Sequence, residues 1–163
     1  MRLVPYSDEH LALSLAIECD PETMKYLGGA RPREAVIEVH KRRVAIAAAG
    51  ALYFVIVPDQ SERPAGSIGI WESDHEGEKI HEMGWTILPE FQGCGLATEA
   101  GRMIMERARA QPSISAVYAF PGIDNAASNA ICRKLGFEML SECDIEYSGR
   151  KLRCNNWRID VSA

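Results

Sequence analysis

The chain has 163 residues, of which 47% are apolar and 25% are charged, and its formal net charge is -5. This length and composition are typical of one globular domain, here residues 1–163. The acidic balance provides no basic field for nucleic acid or a membrane surface. No apolar run approaches the ~20 residues that a membrane helix requires, and no leader pattern opens the chain, so we expect a cytoplasmic protein.

The five cysteines do not form a recognisable pattern. They are scattered along the chain, at Cys19, Cys94, Cys132, Cys143 and Cys154, and no two form a Cys-x-x-Cys pair. No pair of histidines has the spacing of metal ligands either. In a cytoplasmic protein this favours reduced thiols. We therefore predict no disulfide and no metal site.

The first third of the chain predicts one strand and three helices. Residues 2–6 form a short strand candidate, and Ser7 and Asp8 can cap a helix through residue 18. A second short helix is predicted after Asp20, ending at residues 28–29. The longest helix is predicted over residues 32–49.

The pattern of the longest helix predicts which side is buried. Val36, Val39 and Val44 suit an apolar face. Lys41, Arg42 and Arg43 suit a solvated face, which is a more ordinary role for such a run than guiding an acidic partner.

Strands dominate the middle of the chain. Residues 52–57 and 65–71 are apolar runs that predict an antiparallel hairpin. A polar turn is expected over residues 73–79. Residues 80–88 then predict a buried strand that stops at Pro89, which has no N–H to continue a ladder.

A glycine turn connects that strand to a helix predicted over residues 96–110. Residues 92–95 read Gln-Gly-Cys-Gly, and glycines leave no Cβ in the way of a ligand. Backbone N–H groups at a helix start favour an anion such as a pyrophosphate. The helix leads to a strand over residues 116–120. A crossover of this length makes that strand parallel to the strand over residues 80–88.

The last third predicts a helix and a hairpin. Residues 121–125 end the strand, and the helix over residues 126–135 ends at Gly136. Strands over residues 138–147 and 150–161 pair about a two-residue turn, which sets Cys143 opposite Cys154. The predicted fold class is α/β with a mixed sheet.

Several segments of this chain resemble the GNAT superfamily of N-acetyltransferases. Residues 92–97 fit its acetyl-CoA loop, (Arg/Gln)-x-x-Gly-x-(Gly/Ala), and residues 125–129 with 133–137 look like its second segment. Residues 20–29 and 97–100 resemble the RimJ and RimL branch of ribosomal-protein N-terminal acetyltransferases. Four such matches in order, over nearly the whole chain, are specific.

The resemblance implies the GNAT fold, with helices on both faces of a sheet whose strands splay at the acetyl-CoA site and with a C-terminal hairpin. It implies that the loop binds the pyrophosphate, that the strand before it binds the pantetheine as an added strand would, and that the next helix supplies polar contacts. The implied acetyl-CoA residues are Trp85, Ile87, Leu88, Gln92, Gly93, Cys94, Gly95, Leu96, Ala97, Thr98, Asn125 and Ser128.

The family resemblance also suggests catalytic residues. Glu82 is the candidate base, acting through water, although a carboxylate at this position also suits a structural salt link. His81 and His75 are weaker candidates, and His81 faces the opposite side of the strand from Glu82. Trp85 is the tryptophan that we expect in the acceptor pocket.

The tyrosine that serves as general acid in much of the superfamily is absent. Cys132 occupies its position, four residues before the Gly-Phe pair, and either Ser128 or Cys132 remains a candidate to protonate the thiolate. We favour Ser128. A packed structural thiol is the alternative role for Cys132.

These features predict direct acetyl transfer from acetyl-CoA to a primary amine in a ternary complex. The acceptor is either a protein α-amine or a small amine. A non-catalytic acyl-CoA-binding or regulatory module is the alternative, motivated by the missing tyrosine. The Leu, Trp and Cys side chains of the terminal hairpin would also suit a homodimer.

Overall fold

The computed structural model describes residues 1–59 and 61–161, so positions 60, 162 and 163 of the expected domain lie outside the described residues. In chain order the described elements are β1 (Arg2–Pro5), α1 (Leu11–Glu18), α2 (Arg33–Ala48), β2 (Leu52–Val57), β3 (Gly66–His75), β4 (Glu78–Ile87), α3 (Leu96–Arg109), β5 (Ala116–Ala119), α4 (Ala126–Leu135), β6 (Glu138–Tyr147) and β7 (Arg150–Asp160). Short 3-10 turns precede α1, α2 and α3, at Asp8–His10, Lys25–Leu27 and Pro89–Phe91.

All these strands join one sheet in the order β1-β2-β3-β4-β5-β7-β6. Neighbouring strands are antiparallel except β4 and β5, which are parallel. The β4-α3-β5 unit supplies the crossover that a parallel pair requires. The predicted α/β fold with a mixed sheet is therefore confirmed.

Two apolar clusters pack on the two faces of this sheet. One joins α3 to residues such as Ile68, Met83 and Val117. The other joins α1 to Tyr53 and Val55 on β2. Because side chains alternate along each strand, a residue of β4 faces either the α3 side or the α1 side.

The helix ends follow the local sequence. The side chain of Asn125 caps α4 by accepting a hydrogen bond from the Ser128 N–H at 3.1 Å. Gly136 ends α4 with a left-handed backbone, φ 85°, which glycine adopts without steric cost. These bounds confirm the predicted helix.

Three local predictions were wrong. The segment after Asp20 forms a turn, held by the Asp20 carboxylate on the Thr23 N–H at 2.7 Å, and then the single 3-10 turn Lys25–Leu27, so it is not a helix. The polar residues 73–79 continue β3 and β4, because cross-strand pairing holds them up to a tight turn at Glu76 and Gly77. The third error concerns Arg43, which was predicted on the solvated face of the longest helix. It points inward from α2 and pairs with the buried Glu18.

The terminal hairpin has the predicted register. Ser148 and Gly149 both have positive φ, as a two-residue turn demands, and Cys143 lies opposite Cys154. Both cysteines are free thiols.

Candidate active site

The parallel strands β4 and β5 separate where the site begins. They pair only at His81 with Val117 and at Glu82 with Tyr118, so residues 83–87 of β4 have no β5 partner. A cavity of about 760 Å³ follows this opening. It runs from the start of α3 and α4, past Glu82, to the residues of α1, α2 and the terminal hairpin.

One end of the cavity is built from backbone. Gly93 and Gly95 have φ of 76° and 80°, and a Cβ at either position would meet nothing within 4 Å. Among the described residues, no acceptor receives a hydrogen bond from the N–H groups of residues 93–98. The start of α3 therefore presents six consecutive free donors at the positive end of the helix dipole, which suits an anion.

Most of the predicted acetyl-CoA residues line this end of the cavity. They are Trp85, Ile87, Gln92, Gly93, Gly95, Leu96, Ala97, Thr98, Asn125 and Ser128. Gln92 also donates a side-chain hydrogen bond to the Ile87 carbonyl at 2.9 Å, which fixes the loop against β4.

Two predicted acetyl-CoA side chains lie away from the cavity. Leu88 is buried in the α1-side cluster, and its N–H bonds to the Ala65 carbonyl at 2.8 Å. Cys94 is exposed and its thiol turns back to the Gln92 carbonyl at 3.5 Å. Strand alternation directs the Leu88 side chain into the core, and the turn geometry directs the Cys94 side chain to solvent, so neither side chain enters the cavity.

Glu82 lies at the middle of the cavity, on the face of β4 that carries Trp71 as its cross-strand neighbour. Burial raises the pKa of Glu82, and the effect is only partly opposed by a hydrogen bond from Ser73 and the charge of His75. No lysine or arginine of residues 1–59 or 61–161 forms an ion pair with it. In the described residues, Glu82 therefore does not have the structural salt link that was its alternative role.

The two acid candidates have different environments. Ser128 lines the cavity on the first turn of α4. Cys132 is fully buried in the α3-side cluster and does not line the cavity, and burial raises its pKa to about 12. Of the two roles considered for Cys132, its burial favours that of a packed core thiol.

Trp71 and Trp85 both line the cavity, from opposite faces of the sheet. Trp85 lines the cavity but packs on the α3-side cluster, because it is paired with Ile68 on that face of the sheet. Trp71 shares the face of Glu82, and a Cβ at Gly84 would come within 2.6 Å of its ring. Trp71 therefore lies beside Glu82 on one face of the sheet, and Trp85 lies on the other face.

The other end of the cavity is built from side chains of distant elements. Its apolar and aromatic walls are Tyr6, Leu13, Ile17, Met24, Tyr53, Trp71, Ile145, Tyr147 and Leu152. The rings of Tyr53 and Trp71 are 6.0 Å apart, and those of Tyr6 and Tyr53 are 5.0 Å apart. This half suits an organic group with a substantial apolar surface.

A buried ionic cluster stands against these walls. Glu18 is 2% exposed and accepts hydrogen bonds from Arg31, at 2.9 Å, and from Arg43. Arg43 lies over the Tyr53 ring at 5.9 Å. Burial lowers the pKa of Arg43, but charge interactions with Tyr53 and Glu18 outweigh this effect, so its pKa lies above the ordinary value.

The sequence contained one signal for this cluster. Val36, His40, Arg43 and Ala47 are spaced as one stripe of α2, and Val36 and His40 are buried. Arg43 therefore belongs to the inner face by spacing, although its charge suggested the outer one. No comparable signal marks Glu18, whose partners come from elsewhere in the chain.

Within the described part of the chain, no helix is long and apolar enough to cross a membrane, and no cluster of His, Cys, Asp and Glu has the form of a metal site.

Known proteins resemble this chain in sequence and in fold. Residues 1–138 match the family described as "Acetyltransferase (GNAT) domain". The spermidine N(1)-acetyltransferase of Escherichia coli K12 is 28% identical over 156 residues, which covers 90% of this chain and 77% of that protein.

Solved structures extend the likeness to the fold. A spermidine N-acetyltransferase from Vibrio cholerae, in complex with CoA and spermine, has a TM-score of 0.77 at 16% identity and covers 98% of this chain and 94% of its own. An acetyltransferase from Salmonella typhimurium that modifies the N-terminal serine of ribosomal protein L7/L12 has a TM-score of 0.78 at 17% identity, covering 97% and 93%. The chain therefore belongs to the GNAT acetyltransferase family and is an N-acetyltransferase, which transfers an acetyl group to an amine.

Proposed function

We propose that this enzyme binds acetyl-CoA between β4, α3 and α4 and an amine in the aromatic half of the cavity, and transfers the acetyl group directly in a ternary complex. One observation carries the proposal: a single cavity joins an anion-binding helix start to an aromatic pocket, with Glu82 between them. Direct transfer needs both substrates in one enclosed space.

The residues of the loop fit the cofactor. The free N–H groups of residues 93–98 match the donors that a pyrophosphate requires, and the two open glycine positions leave room for it. The unpaired edge of β4 can bind the amides of pantetheine as an added strand would. When bound, acetyl-CoA supplies a thioester carbonyl that an amine can attack.

Glu82 acts as the base. An amine reaches the site mainly as an ammonium, and it must lose a proton before its nitrogen can attack. The Glu82 carboxylate accepts that proton, directly or through a water. Its raised pKa makes it a stronger base, and the rate should fall as the pH decreases through that raised value.

Ser128 is the group that would protonate the departing thiolate. It lines the cavity, whereas Cys132 is enclosed in the core. Because a thiolate is already a fair leaving group, this contribution is small beside that of Glu82.

The acceptor is a primary amine. The likeness to spermidine acetyltransferases supports a small amine, and the likeness to the ribosomal-protein enzymes supports a protein α-amine. The same likenesses favour catalysis over a non-catalytic module. A screen of peptides against small amines, which measures released CoA, separates the two classes of acceptor.

Two experiments test the proposal. Calorimetry should detect acetyl-CoA binding, and absence of binding at millimolar concentration would overturn the proposal. Binding without CoA release on any amine would instead support the non-catalytic alternative.

A further inference from the structure

The ionic cluster of Glu18, Arg31 and Arg43 carries one positive charge more than it carries negative charge. It is mostly enclosed: the side chains are 3%, 16% and 20% exposed, respectively. Burying an uncompensated charge is costly, so such a site favours an anion that restores the balance.

Among residues 1–59 and 61–161, no other carboxylate that lines the cavity balances the excess. Glu22 is 70% exposed at the rim and pairs with Lys25. Glu82 forms no ion pair with either arginine, because both arginines pair with Glu18. The excess charge therefore faces the acceptor half of the cavity, which Arg43 lines.

Arg43 has donors to spare. Its Nη1 binds Glu18, and among the described residues no acceptor takes its Nε or Nη2 hydrogens. These two N–H groups form the side fork of a guanidinium, which matches the two oxygens of a carboxylate.

Strand register gives the distance over which an acceptor must reach. Tyr53, beneath Arg43, is aligned with Gly69 of β3, which is aligned with Gly84 of β4, two residues from Glu82 on the same face. Two strand spacings separate Tyr53 from Gly84 by roughly 10 Å. An acceptor whose carboxylate binds Arg43 and whose amine lies at Glu82 must therefore have several bonds between these two groups.

From this geometry, and resting on the proposed function, we infer that the preferred acceptor is a primary amine with a carboxylate roughly 6–10 Å from the nitrogen. Arg43 is the residue that determines this preference. The acceptor is either a small amino acid with a distant amine or a peptide whose acidic side chain follows its α-amine. A polyamine would place a second cation against Arg43 and is disfavoured.

Binding tests the inference without requiring turnover. Calorimetry on the CoA-saturated protein compares 6-aminohexanoate with hexylamine and 1,6-diaminohexane. We expect 6-aminohexanoate to bind roughly 10- to 100-fold more tightly than hexylamine, the range for a hydrogen-bonded charge, and diaminohexane to bind most weakly. Equal binding, or preference for the diamine, would overturn the inference.

Variants locate the effect. Arg43→Gln should abolish the difference between 6-aminohexanoate and hexylamine, while Arg42→Gln, exposed on the same helix, should retain it. Arg31 still pairs with Glu18 in Arg43→Gln, which supports folding. Should that variant not fold, Arg43→Lys provides the test, because it keeps the charge and loses the fork, and should lose part of the preference.

Measurements of turnover test the proposed function separately from the inference about Arg43. They also distinguish a small amino acid from a peptide as the acceptor. CoA release is compared for glycine, 4-aminobutanoate, 6-aminohexanoate and 8-aminooctanoate, and for the peptide amides Ala-Glu-Ala-Ala and Ala-Gln-Ala-Ala. A maximum at the six- to eight-carbon acids identifies a small acceptor, and a faster glutamate peptide identifies a peptide. If the carboxylate-bearing amines bind through Arg43 but no CoA is released, the inference stands and the proposed catalysis fails.

Discussion

The two halves of the cavity are built by different means. The acetyl-CoA half is mostly backbone: free N–H groups at the start of α3 and an unpaired strand edge. The acceptor half is mostly side chains, contributed by α1, α2, β2 and the terminal hairpin. Backbone donors require only glycines and a helix start within a few residues, whereas the side-chain half depends on long-range packing.

This difference predicts how each half responds to mutation. A change in the loop should affect cofactor affinity and leave the fold nearly intact. A change in the acceptor half should disturb the fold as well as the chemistry, because its polar residues are also buried structural contacts.

Among these variants, removal of the Glu18 side chain should have the largest effect, and this effect is on the stability of the fold. Glu18→Ala leaves Arg31 and Arg43 buried without a counter-charge, and the free energy of unfolding should fall by about 3–5 kcal/mol. Denaturant titration measures this change. The control is Glu38→Ala, which removes an exposed pair with Lys41 and should cost about 0.5 kcal/mol or less. Equal losses in the two variants would contradict the structural role of the cluster.

Glu82→Gln should lower kcat by about 10²–10³-fold, in the range for loss of a positioned general base. Acetyl-CoA affinity should not change, because the glutamate lies outside the loop. At pH values between the raised pKa of Glu82 and the pKa of the amine, the ratio of wild-type to variant kcat should grow as the pH falls. The reason is that more of the amine is then protonated, and the variant has no carboxylate to remove that proton. Rate profiles against pH measure this effect, and an unchanged profile in the variant would remove Glu82 from the mechanism.

Gly95→Ala should weaken acetyl-CoA binding by about tenfold, because its Cβ would enter the space proposed for the pyrophosphate. Gly77→Ala is a matched control: its φ is 83° against 80° for Gly95, its Cβ is equally unobstructed, and it lies in the turn between β3 and β4. Both variants should lose similar stability from a left-handed alanine, about 1 kcal/mol. Calorimetry should show weaker binding only for Gly95→Ala, and weaker binding in both would contradict a local cause.

Ser128→Ala should have the smallest effect, a decrease in kcat of less than about tenfold, because a thiolate leaves readily without a strong acid. Cys132→Ala should leave kcat unchanged and lower stability by about 1 kcal/mol, as loss of a small buried group does. Steady-state rates and thermal unfolding measure the two effects. A larger loss of kcat in Cys132→Ala would return that thiol to the mechanism.

The same difference explains what the sequence could predict. Gly93, Gly95 and the helix after them are local, so their pattern predicted the loop and the free N–H groups that suit an anion. The bounds of α4 followed from Asn125 and Gly136 for the same reason. The helix after the loop and the apolar cores of the central strands were likewise predicted by local periodicity, whereas the polar ends of β3 and β4 were not.

The acceptor half was not predictable in this way. Glu18 and Arg43 are 25 residues apart, and their ion pair exists only because α1 and α2 pack together. The roles of Trp71 and Trp85 depended on which sheet face each occupies, and this required the strand register. The sequence left the role of Cys132 open, because its side of α4 is set by packing on α3 and the sheet.

A crystal structure with CoA tests the central claim most directly. We expect pyrophosphate oxygens within about 3.2 Å of backbone nitrogens in residues 93–98. We also expect the thiol end of CoA between β4 and α4, with the Glu82 carboxylate facing it directly or through one water. A pyrophosphate bound elsewhere, or a thiol end remote from Glu82, would contradict the account.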